Sequence, residues 1–227
     1  MSPVPHNLKL YHILHVDRLA SVLEDGCLFS DAEATKRNFQ GTAIGMGHIK
    51  RRRLEVCRLR TAPRLHVGDC VPFYFCPRSV MLFIFWRNVH PDLTYHGGQE
   101  NILHLEFDMN KVREWAESEK LHWAFTDSNA SSGWFTDYHD LANLDKLRWD
   151  IIASGQWTGM TDGHATQAFK QAEFLVERFV PWNLVKRLVP STKSAWRPSG
   201  RFCPVIPQKV CPSCGEDGII EVQGGWI

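Results

Sequence analysis

The chain has 227 residues, of which 44% are hydrophobic and 22% are charged, and its formal net charge is +1. These values exclude a collagen-like, coiled-coil or wholly disordered chain and are ordinary for a globular protein with one large domain. The longest apolar run, Val80–Trp86, has seven residues, whereas a membrane-spanning helix needs about 20. Because the N-terminus also lacks the apolar core of a signal peptide, the sequence predicts a cytoplasmic protein with no membrane partner. The seven cysteines form no regular framework, which favours reduced thiols.

Short strands and short helices are predicted to follow one another without a regular strand–helix alternation. A strand over residues 8–16 leads into a short helix that Asp17 caps and Gly26 ends. Residues 69–76 and 79–86 are both expected to be buried strands, joined by a turn at 77–78. Further strands are predicted over residues 102–107, 123–126 and 174–179, and helical segments over 108–116 and 141–152.

This mixture of elements predicts an α+β fold. Residues 1–190 are expected to form the main domain. The proline-rich remainder, 191–227, is expected to be an extended segment packed on the same domain.

Positive charge is concentrated in one segment. Residues 36–60 hold eight cations and one acid, a net charge of +7 in a chain whose total is +1. Within it, Lys50 and the three following arginines cannot all share one face of a helix, so two would face a ligand. A pyrophosphate or a nucleic-acid backbone suits such a cluster, and a solvated basic helix face remains the alternative.

A glutamine and a glutamate lie two residues apart where an apolar strand begins. In a strand, Gln171 and Glu173 would project from the same face. A carboxylate beside an amide suits chemistry at a glycosidic carbon, because the carboxylate stabilises positive charge on the sugar. The alternative is the solvated outer face of an edge strand.

Three other positions carry possible chemistry. His12 could bind a ribose hydroxyl or a phosphate, although a histidine in this setting is more often a satisfied core residue. Arg78 follows the aromatic run at 73–75, which could stack a base or belong to the core. Cys203, Cys211 and Cys214 supply three of the four ligands of a zinc site, and because no histidine follows His164 we assign no metal.

Several blocks together resemble one family. YHILHVDRLASVLEDG, IGMGHIKRRR, VGDCVPFYFCPRSVML, HGGQENILHLE, WAFTDSNA and FKQAEFLVERFVPW occur in the order and spacing of DarT, the DNA ADP-ribosyltransferase toxin of bacterial toxin–antitoxin pairs. The resemblance covers about residues 10–189. It implies the ADP-ribosyltransferase fold, with two small, roughly perpendicular antiparallel sheets and flanking helices around an NAD cleft.

The resemblance also implies the activity. The family transfers ADP-ribose from NAD, without a required metal, onto a base of single-stranded DNA. That base is typically thymine, and a relative modifies guanine. The partner antitoxin, DarG, removes the mark with a macrodomain.

Carried over by position, the resemblance assigns site residues. Arg53 and Glu173 match the catalytic pair. The NAD-binding positions are His12, Ile13, Leu14, Ser21, Phe29, Lys50 and Arg53. The DNA-contacting positions are Arg78, Ser79, Val80, Met81, Leu82 and Phe83, then Gly155, Gln156, Trp157 and Thr158, and finally Gln167, Ala168, Phe169, Lys170 and Gln171. Leu14 departs from the Thr or Ser that is common at its position.

We expect Glu173 to hold the nicotinamide ribose and to stabilise charge as the glycosidic bond breaks. Neutralising an arginine at pH 7 costs about 8 kcal/mol, so Arg53 is expected to stabilise the developing anion of the base rather than to remove its proton. Two other classes stay open: an NAD-dependent transferase that acts on protein, and a catalytically idle single-strand-binding module. From the sequence, Glu173→Ala is expected to fold normally.

Overall fold

The computed structural model describes residues 3–190. The predictions for the segment 191–227, and for Cys203, Cys211 and Cys214, lie outside the described residues. Among residues 3–190, no helix has the length and apolar character that crossing a bilayer requires.

Eleven strands and seven α-helices are described. The strands are β1 (Lys9–His15), β2 (Cys27–Phe29), β3 (Cys70–Tyr74), β4 (Ile102–Asp108), β5 (Trp123–Asn129), β6 (Asp137–Tyr138), β7 (Met160–Thr161), β8 (His164–Ala165), β9 (Ala172–Glu177), β10 (Phe179–Pro181) and β11 (Val185–Pro190). The helices are α1 (Leu19–Asp25), α2 (Asp31–Lys36), α3 (Gly47–Glu55), α4 (Val80–Arg87), α5 (Met109–Ser118), α6 (Trp149–Ala153) and α7 (Thr166–Lys170). The predicted α+β class is confirmed.

Seven strands form an antiparallel sheet in the order β11-β4-β1-β3-β9-β5-β6. Its two halves, β11-β4-β1 and β3-β9-β5-β6, meet through a single residue pair, Tyr11 with Tyr74. By contrast, β1 pairs with β4 over seven residues, and β3 pairs with β9 over five. The sheet therefore consists of two antiparallel blocks with a weakly joined seam.

Strand β9 is buried along its whole length because both faces of its block are covered. On one face Phe174 packs in the main core, and on the other Leu175 belongs to a second apolar cluster with Leu59 and Val67. Apolar burial on both faces leaves no water for the two glutamates of this strand. Glu173 and Glu177 must therefore find partners within the protein.

The segment 79–86, predicted as a strand, instead forms the helix α4 with Ser79 as its N-cap. The Ser79 hydroxyl caps α4 by accepting a hydrogen bond from the Leu82 backbone N–H at 3.2 Å. Phe85 faces the core while Phe83 and Trp86 face solvent, so the segment is amphipathic at helical spacing. A short apolar run does not distinguish a buried strand from a helix by periodicity, and the capping serine decides the outcome here.

Three smaller differences concern element ends. Asp17 is not the cap of α1: it lies in a 3-10 turn over Val16–Arg18, and its carboxylate accepts hydrogen bonds from Thr42. Gln171 is the C-cap of α7 and β9 begins at Ala172, two residues before the predicted strand 174–179. The prediction that Gln171 and Glu173 project from one strand face is therefore wrong, because only Glu173 lies in the strand. The segment 141–152 is divided between a 3-10 helix and α6, and Gly26 ends α1 with a φ of 68°, as predicted.

Candidate active site

A cleft with a volume of ≈ 230 Å³ opens beside the seam of the sheet. Residues from β1, β3, the region from α2 to α3, and the loop after β5 line it. The catalytic candidate Arg53 reaches this cleft from α3, and Gln171 reaches it from the end of α7.

Arg53 and Glu173, which are 120 residues apart in sequence, form a buried bidentate ion pair. The guanidinium donates from Nη1 to Glu173 Oε1 at 2.9 Å and from Nη2 to Oε2 at 2.8 Å. Glu173 is 1% exposed, and Arg53 is 8% exposed. The structure thus brings the two predicted catalytic side chains into direct contact, in the planar geometry that favours arginine over lysine.

The backbone around Glu173 is held by the end of β5. The register of β5 against β9 shifts between Phe125 and Asn129, and within this irregularity the Thr126 hydroxyl accepts the Glu173 backbone N–H at 3.0 Å. The Ala130 backbone N–H donates to Glu173 Oε1 at 3.1 Å. The irregular end of β5 therefore supplies partners that a regular strand pair would not.

Burial and the charge of Glu173 together shift the pKa values of Arg53 and Tyr74. Burial alone would lower the pKa of Arg53, but the Glu173 carboxylate outweighs it and the pKa lies above its ordinary value. Burial, followed by the charge of Glu173, raises the pKa of Tyr74. Arg53 therefore remains a cation and Tyr74 a neutral phenol, so neither is suited to remove a proton at neutral pH.

His12 is held in one tautomer. Its Nδ1 lies 2.8 Å from the Pro72 carbonyl oxygen, so Nδ1 carries the proton. Burial lowers the pKa of this imidazole, although the bond to Pro72 opposes the effect. A neutral ring whose Nδ1 is engaged presents Nε2 as the atom that a ligand hydroxyl could contact.

Most of the predicted NAD-binding positions lie together. The cleft is lined by His12, Ile13, Leu14, Phe29, Lys50 and Arg53. Lys50 also forms an ion pair with Asp31 at 2.6 Å. Ser21 is absent from the lining, and its hydroxyl donates to the Arg18 carbonyl at 3.0 Å, so its contact with NAD stays a prediction. No cluster of three or more His, Cys, Asp or Glu residues that could bind a metal occurs within residues 3–190.

The predicted DNA-contacting positions divide by exposure. Met81 and Gln171 line the cleft. The exposed members are Arg78, Phe83, Gly155, Gln156, Thr158 and Gln167, and the partly exposed ones are Val80, Leu82, Trp157 and Ala168. Ser79, Phe169 and Lys170 are buried: Ser79 caps α4, and Phe169 packs against Trp134 with ring centroids 5.7 Å apart.

Lys170 is 2% exposed, and its ammonium binds the protein itself. Nζ donates to the Ser154 carbonyl at 2.6 Å and contacts the Ile152 carbonyl at 3.4 Å. It also lies 4.7 Å from the centre of the Trp157 ring. Lys170 is predicted to contact DNA directly. This prediction does not fit the structure, because the ammonium group binds the backbone carbonyls of Ile152 and Ser154, just before the 155–158 loop.

Sequence reasoning missed the residues that hold the site together. Asn129 Nδ2 donates to Gln171 Oε1 at 2.8 Å, and Asn129 Oδ1 accepts the Ser131 backbone N–H at 2.7 Å. Tyr74 lies opposite Glu173 in the β3–β9 pairing. The polar run that ends β5, within the WAFTDSNA block, was the available signal for Asn129.

A two-block antiparallel sheet with a strand-borne glutamate, bound by an arginine at a cleft beside the seam, has the architecture of an ADP-ribosyltransferase. Comparison with known proteins identifies the family. The family model described as "ssDNA thymidine ADP-ribosyltransferase, DarT" matches residues 11–196. The chain belongs to the DarT family of DNA ADP-ribosyltransferases.

Individual relatives agree. A DNA ADP-ribosyl transferase from Thermus aquaticus is 36% identical over 82% of this chain and 75% of its own length. One from Thermus sp. 2.9 is 32% identical over 81% of each chain. Among solved structures, Thermus sp. 2.9 DarT in complex with ADP-ribosylated single-stranded DNA matches with a TM-score of 0.73 and 29% identity, over 85% of this chain and 86% of that one. The same protein in complex with NAD+ matches with a TM-score of 0.70 and 27% identity, with the same coverage.

Proposed function

We propose that this protein transfers ADP-ribose from NAD onto a thymine of single-stranded DNA. The observation that carries the proposal is the buried Arg53–Glu173 pair at the cleft. The family description supports thymine, and the Thermus sp. 2.9 structures with NAD+ and with modified DNA support the donor and the form of the acceptor.

The cleft suits a dinucleotide. Phe29 offers an aromatic face that packs edge-on against Phe39, with ring centroids 5.4 Å apart, and apolar rings of this kind hold flat heterocycles. Lys50 and Arg18 bring positive charge to the same lining, which suits a pyrophosphate. When bound, NAD would supply an electrophilic ribose carbon whose positive charge grows as nicotinamide leaves.

Glu173 keeps capacity for a ribose hydroxyl. A carboxylate accepts about four hydrogen bonds. Oε1 accepts from Arg53 and Ala130, and Oε2 accepts from Arg53, which leaves one site on Oε2. We assign that site to the ribose, so that the carboxylate is fixed before charge develops and does not reorganise during the reaction.

Arg53 keeps donors for the acceptor base. Its five N–H groups include those that bind Glu173 and one aimed at the Ser131 hydroxyl at 3.4 Å. Nε and one hydrogen on Nη2 have no other hydrogen-bonding partner within residues 3–190. These donors would stabilise the thymine anion that is left when the ring nitrogen loses its proton to solvent. That nitrogen then bonds to the ribose carbon as the bond to nicotinamide breaks, and Gln171, oriented by Asn129, would position the base.

We propose further that the protein acts as a toxin whose mark a macrodomain antitoxin of the DarG type removes. The support is family membership. The test is regrowth: cells that express the protein should stop dividing and recover when a macrodomain hydrolase is co-expressed. Growth arrest that such a hydrolase does not relieve would contradict this part.

The transfer itself is tested by intact mass. A mixed-sequence single strand is incubated with the protein and NAD, and the product is fragmented to find the modified base. A strand heavier by one ADP-ribose on thymine supports the proposal, whereas modified guanine favours the guanine-modifying alternative. Labelled protein with unmodified DNA would favour the protein-modifying class.

A further inference from the structure

An aromatic pair stands exposed on α4. Phe83 is 59% exposed and Trp86 is 64% exposed, and their ring centroids are 5.9 Å apart with the planes tilted by 42°. Scattered exposed apolar residues are normal on protein surfaces, but a contiguous pair of large rings indicates a binding surface. Neither ring belongs to the lining of the cleft.

The charged residues next to this pair along the chain are arginines. The Arg87 guanidinium carbon lies 5.8 Å from the centre of the Trp86 ring, and Arg78 is exposed just before the helix. Residues 77–91 contain these two arginines and no aspartate or glutamate. Exposed rings beside uncompensated cations suit bases that stack and phosphates that pair, and a protein partner with an apolar face would not need the cations.

The face of α4 opposite the aromatic pair is packed against the rest of the protein. Met81 lines the cleft, and Phe85 packs against Tyr95 with ring centroids 5.2 Å apart. One side of α4 thus forms part of the cleft wall while the other presents the pair to solvent. A strand that enters the cleft could continue across the outer side of the same helix.

We propose that Trp86 and Arg87 extend the DNA contact that the family resemblance predicts for Phe83, and that the three residues, here called the aromatic platform, bind nucleotides of the single strand that lie outside the cleft. Stacking is tolerant of sequence because every base has a flat face. The aromatic platform therefore supplies affinity for the length of the strand and does not select the modified base. This inference rests on the proposed function, because it takes its ligand from that reaction.

The test compares strand lengths. Affinities of the full chain are measured for oligonucleotides of about 5 and about 20 nucleotides, which lie near the lower end of typical single-strand site sizes and above their upper end. Trp86→Ser and the double variant with Phe83→Ser are compared with Trp86→Tyr, which keeps a ring. Val56→Ser, which removes another exposed apolar side chain (62% exposed) at the end of α3, is the matched control.

For the long strand, we expect Trp86→Ser to lose about tenfold in affinity and the double variant to lose more, since stacking contributes about 1–3 kcal/mol per base. The short strand should lose little, and Trp86→Tyr should recover most of the loss. An equal loss for both lengths, or no loss for either, would overturn the aromatic platform. Unchanged DNA affinity with altered sedimentation of Trp86→Ser would instead indicate a surface that contacts protein.

The outcome is separable from that of the proposed function. If the wild-type protein adds no ADP-ribose to any strand, the proposed function fails on the mass measurement alone. If the wild type modifies DNA but all variants keep the wild-type ratio of long-strand to short-strand affinity, only the aromatic platform fails. Thermal unfolding of each variant shows whether it folds.

Discussion

Glu173→Gln separates the catalytic role of the carboxylate from its structural role. The amide has nearly the same volume and can still accept from Arg53 Nη1 and Ala130 through its oxygen. Its NH2 group would face Arg53 Nη2, so that two donors would oppose each other where an N–H···O bond of 2.8 Å exists now. The substitution therefore leaves the Arg53 cation buried without its counter-charge.

Removing one partner of a buried ion pair costs about 3–5 kcal/mol. For a domain of about 190 residues, each kcal/mol lowers the midpoint of thermal unfolding by about 2–4 °C, so we expect a fall of about 6 to 20 °C. Glu173→Ala should be at least as damaging, which revises the expectation from sequence that this variant folds normally. The double variant Arg53→Met, Glu173→Met should be more stable than the two single losses together imply, because no charge is left unpaired.

Glu177→Gln is the matched control. Glu177 lies on the same strand and accepts two hydrogen bonds from Arg64, at 2.6 and 2.8 Å, and one from the His122 backbone N–H at 3.0 Å. Because its partner Arg64 is largely exposed and does not line the cleft, whereas Arg53 does, its substitution should cost less stability and little transfer.

Transfer is measured by intact mass of a single strand at a temperature where both variants are folded. Glu173→Gln should lose about 10²–10³-fold, the range for removing one preorganised charge-stabilising group. If Glu173→Gln keeps a tenth of wild-type transfer, or if Glu177→Gln loses as much as it does, the assignment of Glu173 is wrong.

Three further outcomes are expected. Lys170→Met should weaken DNA binding more than NAD binding, because the anchor on the Ser154 carbonyl is lost, and Lys170→Arg should recover part of the loss; equal losses in the two affinities would contradict a role in holding the loop. DNA affinity should fall steeply with salt and the slope should be shallower in Arg78→Ala, whereas an unchanged slope would mean that Arg78 contacts no phosphate. Burial lowers the pKa of His104 from 6.5 to about 4, so between these pH values the unfolded chain binds a proton that the folded chain does not. The free energy of unfolding should therefore decline as the pH falls from 6.5 to 4. His104→Asn should flatten that decline in chemical denaturation, and an unaltered slope would mean that other groups cause the decline.

Local patterns were sufficient for elements whose ends are chemically marked. Gly26 was placed correctly because a left-handed residue after a helix favours glycine. The helix predicted over 108–116 is α5, and the Asp108 carboxylate caps it by accepting the Asn110 and Lys111 backbone N–H groups. The segment 79–86 failed because its apolar run contains no polar residue that would reveal the period, and its cap is a single serine.

In the candidate site, the catalytic residues could be assigned from the sequence, but their contact could not. The resemblance assigned Arg53 and Glu173, but no local pattern shows that they bind each other across 120 residues. Their contact depends on α3 packing beside the 3-10 turn Val67–Asp69 that leads into β3, and on the irregular β5–β9 pairing that frees the Glu173 N–H for Thr126. Both features arise from how elements pack in three dimensions, so neither leaves a spacing in the sequence.

The preference for single strands follows from where the acting groups lie. Glu173 is 1% exposed and Arg53 is its direct partner, so a base must leave the stack and enter the cleft before its ring nitrogen can meet the ribose. Freeing a paired base costs a few kcal/mol, and about 3 kcal/mol already corresponds to more than a hundredfold in rate. The exposed rings of α4 do not line the cleft, so they would stack on neighbouring nucleotides and would not fill the gap that the base leaves.

We therefore expect a single strand to be modified at least about tenfold faster than the same strand in a perfect duplex, measured by mass on matched oligonucleotides with and without the complement. Equal rates would mean that the protein opens the duplex itself, and Phe83→Ser should then slow the duplex reaction selectively.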